Sequence, residues 1–229
     1  MSASILEKIR EVRHQISLFE KLYTRPAGSV MLLAVSKTRP YKSIIDAVEC
    51  GQRAFGENYA QEALEKILAL TEYDLEWHFI GPIQSNKTKT LAENFDWVHS
   101  IDRSKIARRL SEQRPSHLPP LKILIQVNLD AETSKAGVAL SDLEKLANEV
   151  KGLNNIELAG LMAIPIPGKG VESQRASFHL LAQARDKLLK QGFESCQHLS
   201  MGMSSDYEAA IAEGSTIVRI GTDIFGPRN

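Results

Sequence analysis

Residues 30–36 (VMLLAVS) form an apolar, β-branched run, and Lys37 follows it directly. A lysine at the end of a buried strand can form a Schiff base with an aldehyde when its surroundings lower its pKa. The position alone does not separate that use from an ordinary solvated lysine, which is the commoner state. Two further stretches fit an anion. Gly202-Met203-Ser204-Ser205-Asp206 follows one short apolar run, and Gly221-Thr222 follows the next. Glycine and hydroxyl residues at a helix start offer unbonded backbone N–H groups, O–H donors and the positive end of a helix dipole, which together bind phosphate. Either serine alone is also a normal helix N-cap. Two such loops in succession carry more weight than one.

Other polar residues sit in similar places. Arg219 lies inside the apolar run Ile217-Val218-Arg219-Ile220. A buried guanidinium is costly unless paired, so it is either a donor to an anion or ring nitrogen, or half of a structural ion pair. Asn58, in Gly56-Glu57-Asn58-Tyr59, is a polar contact or an N-cap. His78 closes another run, with Gln84, Asn86 and Lys87 just beyond, and these four are expected near the same mouth. A lone histidine of this kind is more often a satisfied core residue than a catalyst. HExxH, Cys/His clusters, GxSxG, GxGxxG and GxxxxGK[ST] are all absent, which leaves metal, hydrolase-elbow and nucleotide-motif readings unsupported.

The elements that would position these residues form an alternation. Strand-like runs occupy residues 30–36, 53–56, 76–80, 96–100, 121–128, 157–164, 198–201 and 216–220. Helical patterns occupy residues 41–50, 59–70, 85–94, 104–113, 141–151, 172–191 and 205–213, after an amphipathic helix within residues 1–23. Such βα alternation argues for a parallel sheet with helical crossovers. A doubly wound open sheet also fits, but the count favours a closed (β/α)8 TIM barrel with an extra N-terminal helix. In that fold the chemistry sits at the C-terminal strand ends, where Lys37 and both anion loops fall, and phosphate is often held after strands seven and eight. Gly51, Gly152 and Gly214 each follow a helical run, Pro40 precedes one, and Pro165, Pro167, Gly168 and Gly170 mark a loop after the sixth strand.

Bulk properties agree. The 229 residues are 43% hydrophobic, enough for one substantial core, and residues 1–229 are expected to form a single domain. Lysine plus arginine equals aspartate plus glutamate at 28 each, with no basic stripe, so nucleic acid and anionic membranes are not expected partners. No secretory signal or membrane-length apolar run is present, so a cytoplasmic location is expected. Cys50 and Cys196 are far apart and are expected to be reduced thiols.

Taken together, these stretches resemble the YggS/PROSC family, the pyridoxal phosphate homeostasis proteins. The matching pieces are Ala34-Val35-Ser36-Lys37, Phe55-Gly56-Glu57-Asn58-Tyr59, and His78-Phe79-Ile80-Gly81 with Gln84, Asn86 and Lys87. Next come Val127-Asn128 with Glu132, Lys135 and Gly137, and Gly160-Leu161-Met162 with Ile164-Pro165. The last are Leu199 to Ser204 with Asp206, and Arg219-Ile220-Gly221-Thr222 with Ile224-Phe225-Gly226. The resemblance implies an alanine racemase N-terminal-domain-like barrel that binds pyridoxal 5′-phosphate (PLP). It implies that Lys37 carries PLP as an internal aldimine. Ser204, Ser205, Gly221 and Thr222 would cradle the phosphate, Arg219 would face the pyridine nitrogen, and Asn58 would lie near the ring.

Carrier and enzyme are the two readings that follow. An arginine opposite the ring nitrogen leaves it unprotonated and the ring a weaker electron sink. Racemases of this fold resemble a barrel plus a β-rich domain bearing a catalytic tyrosine, and here the chain ends at Asn229, soon after the eighth strand. Two-base proton transfer needs an acid/base on each face of the Cα, and only Lys37 suggests itself. The expectation is a PLP-binding protein of vitamin B6 homeostasis without efficient catalysis; the alternative is a racemase or lyase of low activity. Apo PLP-dependent enzymes are possible recipients, a monomer is expected, and Lys87 and Lys135 read as solvated charges rather than a second phosphate site.

Overall fold

The computed structural model describes residues 4–129, 136–166 and 170–227. Helix α1 (Ile5–Leu22) starts at Ser4, whose hydroxyl accepts from Glu7 N while Glu7 Oε2 accepts from Ser4 N, a reciprocal cap. Its buried face carries Ile9, Val12, Ile16 and Glu20. The last is a carboxylate with a purpose: it accepts from Gly28 N and Val30 N at 3.0 and 2.9 Å and so aims the chain into the first strand.

The strands are β1 (Met31–Val35), β2 (Ala54–Glu57), β3 (Glu76–Phe79), β4 (Trp97–Ile101), β5 (Leu121–Asn128), β6 (Val138–Ala139), β7 (Ile156–Met162), β8 (His198–Ser200) and β9 (Ile217–Ile220). The helices after α1 are α2 (Tyr41–Glu49), α3 (Ala60–Ala69), α4 (Thr88–Asn94), α5 (Ser104–Gln113), α6 (Leu143–Lys151), α7 (Val171–Lys190), α8 (Tyr207–Ala212) and α9 (Thr222–Phe225). Strand order is β4-β3-β2-β1-β9-β8-β7-β5, and β4 pairs with β5, so the parallel sheet closes into an eight-stranded barrel. β6 is a two-residue addition to the end of β5.

Alternation along each strand divides the core. Leu32 and Ala34 of β1 pack outward with the helices, while Leu33 turns inward with Trp97, Leu124, Ala159, Met162 and Ile217. The outer layer is the larger one because parallel strands are covered by helices on that side. Both thiols are free, and burial pushes Cys196 up to about 12.

The differences from the sequence reading lie in short elements. Residues 85–94 and 141–151 each begin with a 3-10 turn, at Ser85–Lys87 and Leu140–Asp142. Helix α8 begins at Tyr207 rather than 205, and β9 is followed by the one-turn α9, too short to show a helical period. Gly51 and Gly214 follow their helices with positive φ, whereas Gly152 ends α6 at φ −90°. The positions 1–3, 130–135, 167–169 and 228–229, which include Glu132, Lys135, Pro167 and Gly168, lie outside the described residues.

Candidate functional site

β1 delivers Lys37 to the barrel mouth through a turn that its neighbours pin. Ser36 N donates to Gly56 O at 3.0 Å, and Ser36 Oγ donates to Glu57 Oε1 at 2.6 Å. Lys66 Nζ reaches in from α3 and donates to Ser36 O, Glu57 Oε1 and Glu62 Oε1 at 2.8, 2.7 and 2.6 Å. The same Glu62 oxygen accepts from Thr38 N at 2.6 Å. Thr38 sits at φ 62°, a left-handed conformation that a β-branched residue adopts at a cost on the order of 1–3 kcal/mol. The buried Glu57–Lys66 pair, with half-buried Glu62, therefore holds a strained turn, and Lys37 is the residue between its two anchored ends. Burial pushes the Glu57 carboxyl up, and the Lys66 ammonium opposes that shift.

β8 delivers the first anion loop. Gly202 has φ +94°, and a Cβ there would stand 2.6 Å from Ala210 Cβ, so only glycine lets the loop close onto α8. Asp206 Oδ1 accepts from Met203 N at 2.6 Å, which bends the chain so that Ser204 and Ser205 form its tip. Neither serine caps α8; Asp206 occupies that position. Among the described residues, the amides of Ser204, Ser205 and Thr222 have no backbone partner. β9 delivers the second loop, Gly221-Thr222, and Arg219 below it. Arg219 is almost fully buried and forms no ion pair among the described residues. Its Nη1 donates to Ser200 O and Ser200 Oγ at 2.6 and 2.8 Å, and its Nη2 donates to Ala163 O at 2.9 Å. Burial draws its pKa down to about 10, against Asp206, and it stays a cation near neutrality.

Lys37, Asn58, Ser204, Ser205, Arg219, Gly221 and Thr222 all line one cavity of about 530 Å³ at the C-terminal ends of the strands. Asn58 Oδ1 is buried without a hydrogen-bond partner. Size does not single this cavity out, because another of about 570 Å³ opens at the N-terminal ends, beside Arg13, Glu20, Gln52 and Arg53. Chemistry does. At the N-terminal cavity Arg13, Glu20, Gln52 and Arg53 are bonded to backbone, whereas at the mouth the amides of Ser204, Ser205 and Thr222 have no backbone partner among the described residues and lie around an amine.

The expected location of His78 needs correction. It is fully buried inside the barrel, bonded to Glu76 and His99, and does not line the cavity. Strand alternation turns it inward, where the Trp97 ring stacks on it at 5.3 Å. Gln84, Asn86 and Lys87 lie beyond β3 and also stay off the cavity, since the 3-10 turn leads that segment away. Arg39, Asp223, Val35, Ile80, Ile164, Met203 and Gly226 were not expected to line it. Arg39 and Asp223 had a readable signal, as each follows a strand end by a few residues. Lys66 had one too: it continues the buried 60, 63, 66 stripe of α3.

The family described as "Alanine racemase, N-terminal domain" matches residues 8–229. A "Pyridoxal phosphate homeostasis protein" of Vibrio cholerae is 51% identical over 230 residues, spanning 99% of this chain and 97% of its own. The chain belongs to the pyridoxal phosphate homeostasis protein family. The solved structure of PipY from Synechococcus elongatus with PLP bound is 36% identical over 97% of this chain and 100% of its own, with a TM-score of 0.86. Alanine racemase from Corynebacterium glutamicum shares the fold alone, at 17% identity and TM-score 0.72, and this family member spans 62% of it.

Proposed function

We propose that the protein binds PLP in covalent linkage to Lys37 and serves vitamin B6 homeostasis by holding the cofactor rather than turning over a substrate. The observation that carries this reading is the convergence of an amine, a buried guanidinium and two hydroxyl-bearing turns on one cavity. The residues fit the group. Lys37 would hold the aldehyde carbon through Nζ. Ser204, Ser205, Gly221 and Thr222 would hold the phosphate with hydroxyls and unpartnered amides. Arg219 would meet the ring nitrogen, and the unpartnered Asn58 Oδ1 would accept from the ligand or a bound water beside the ring. When bound, PLP supplies a reactive aldehyde and an electron-withdrawing ring.

Arg219 bears on carriage against catalysis. A guanidinium keeps its own protons near neutrality, so the ring nitrogen opposite it stays unprotonated and withdraws electrons weakly. The described lining offers Lys37 and Asp223 as groups that could exchange a proton, together with two arginines. Efficient two-base transfer asks for an acid/base on each face of the Cα. Residues 1–229 would act as one domain, as a monomer in the cytoplasm, with apo PLP-dependent enzymes as recipients.

Visible absorbance, borohydride reduction and peptide mass spectrometry test the attachment. The expected result is a yellow protein with a reduced pyridoxyl adduct on Lys37 and none in Lys37→Ala. A protein that takes up no added PLP would overturn the reading. Turnover of amino acids at ordinary enzyme rates, lost in Lys37→Ala, would overturn the carrier half alone.

A further inference from the structure

Strands β3, β4, β8 and β9 each turn a polar side chain into the barrel interior, and these side chains touch in a row. Glu76 Oε1 lies 2.6 Å from His78 Nε2. His78 Nδ1 lies 2.9 Å from His99 Nε2, and His99 Nδ1 lies 2.9 Å from Ser200 Oγ. Ser200 Oγ accepts from Arg219 Nη1 at 2.8 Å. The row thus starts at the N-terminal barrel face, where the Glu76 side chain is 38% exposed, crosses the interior between His99 and Ser200, and ends at the cofactor cavity.

The two ends fix its direction. A guanidinium only donates, and a carboxylate only accepts. Ser200 Oγ accepts a hydrogen bond from Arg219 Nη1, so its own O–H is available to His99 Nδ1. His99 Nδ1 is then an acceptor, and the ring's proton is on Nε2, facing His78 Nδ1. His78 likewise carries its proton on Nε2, facing Glu76. Reversing both rings would set the lone pair of His78 Nε2 against the carboxylate at 2.6 Å. Burial pushes the pKa of His78 down and that of His99 well down, consistent with two neutral rings. Trp97 locks them in place, stacked on His78 and edge-on to His99. The nearby charged or titratable groups are Asp96 before β4, Lys122 on β5 and His198 on β8.

We propose that Glu76, His78, His99 and Ser200 form a one-way hydrogen-bonded relay across the barrel that fixes the orientation of Arg219 at the cofactor cavity. The cofactor part rests on the PLP reading above. Ser200 binds Nη1 twice, through O and Oγ, and Ala163 O binds Nη2. That leaves Nε without a partner among the described residues and sets the plane of the guanidinium. His99 and Ser200 are positioning residues: they act on the ligand only through Arg219.

Nitrogen-15 NMR of histidine-labelled protein without PLP reads the relay directly, with signals assigned by their loss in His78→Gln and His99→Gln. Both rings should be neutral through the neutral pH range, each with an unprotonated Nδ1 and a protonated Nε2. A proton on His99 Nδ1, or a cationic ring in that range, would overturn the relay. PLP titration then reads the positioning. His99→Leu should weaken binding about tenfold and shift the absorbance maximum of the bound cofactor. His99→Gln keeps an acceptor and a donor and should restore both within about twofold. Wild-type behaviour in His99→Leu would overturn the positioning role. If wild-type protein takes up no PLP, the functional reading and the positioning role fall together, while the ring protonation still decides the relay.

Discussion

The two ends of the barrel use their polar groups in opposite ways. At the N-terminal end, arginines terminate helices. Arg13 binds Cys50 O and Gly51 O beyond α2, Arg25 binds Ile211 O and Ser215 O around the end of α8, and Arg114 binds Ala92 O and Phe95 O around the end of α4 and Pro119 O before β5. Carbonyls at a helix C-terminus lack intrahelical donors, and a cation there satisfies them and the helix dipole together. At the C-terminal end the amides of Ser204, Ser205 and Thr222 have no backbone partner, and Asn58 Oδ1 is buried alone. Saturated groups contribute to folding, whereas unsatisfied ones are available to a ligand.

The sharpest way to break this comparison is at Arg114. Arg114→Met keeps much of the volume and leaves the carbonyls of residues 92, 95 and 119 without their donor. Stability should fall by about 3 kcal/mol, while PLP uptake at the far end stays as in wild type. Urea unfolding with an unchanged m-value would measure the first, and PLP titration the second. A loss below about 1 kcal/mol, or a matching loss of PLP affinity, would mean that the ends are not divided in this way.

The opposite pattern is expected at the mouth. The side chains of Ser204 and Thr222 carry no hydrogen bond within the described protein. Ser204→Ala combined with Thr222→Val should leave the unfolding midpoint within about 0.5 kcal/mol of wild type. PLP affinity should fall about tenfold, the effect of losing hydroxyl donors to a phosphate. Equilibrium titration by absorbance measures it; a stability loss with unchanged affinity would make these hydroxyls structural.

The same division decides what could be read from the sequence. The barrel strands were legible because parallel strands covered on both faces are written as near-continuous apolar runs, such as residues 121–128. Lys37 and the two anion loops were legible because they follow those runs directly, and Arg219 because a charge interrupts one of them. Contacts across the interior were not. Whether His99 meets Ser200 depends on strands 101 residues apart and on their relative register, and no local period encodes either. His78 shows the limit: its strand could be found, but its interior partners His99 and Trp97 lie on the next strand, and no local period encodes that contact. Lys66 and Glu62 look like a surface i,i+4 pair until the strained turn at Thr38 gives them a partner.

The smallest expected effect concerns the relay that joins the two ends, and it appears only in acid. The buried rings of His78 and His99 have folded pKa values below the ordinary 6.5, because burial disfavours the cation. The unfolded chain therefore binds their protons first as pH falls. Stability is full above about 6.5, then declines with falling pH until the folded values are reached. Each such ring contributes a slope of at most ~1.4 kcal/mol per pH unit in that window. Glu76, held below the usual carboxylate range chiefly by its bond from His78, adds a decline of the same sign at lower pH. His99→Gln retains a donor and an acceptor but cannot take up the proton. Its stability curve should run parallel to wild type above neutrality and fall about 1 kcal/mol less by one pH unit below 6.5. Urea unfolding across that range is the measurement. Parallel curves throughout would mean that His99 is protonated as readily inside the barrel as outside it, and a chain of neutral rings could not then connect Glu76 to Arg219.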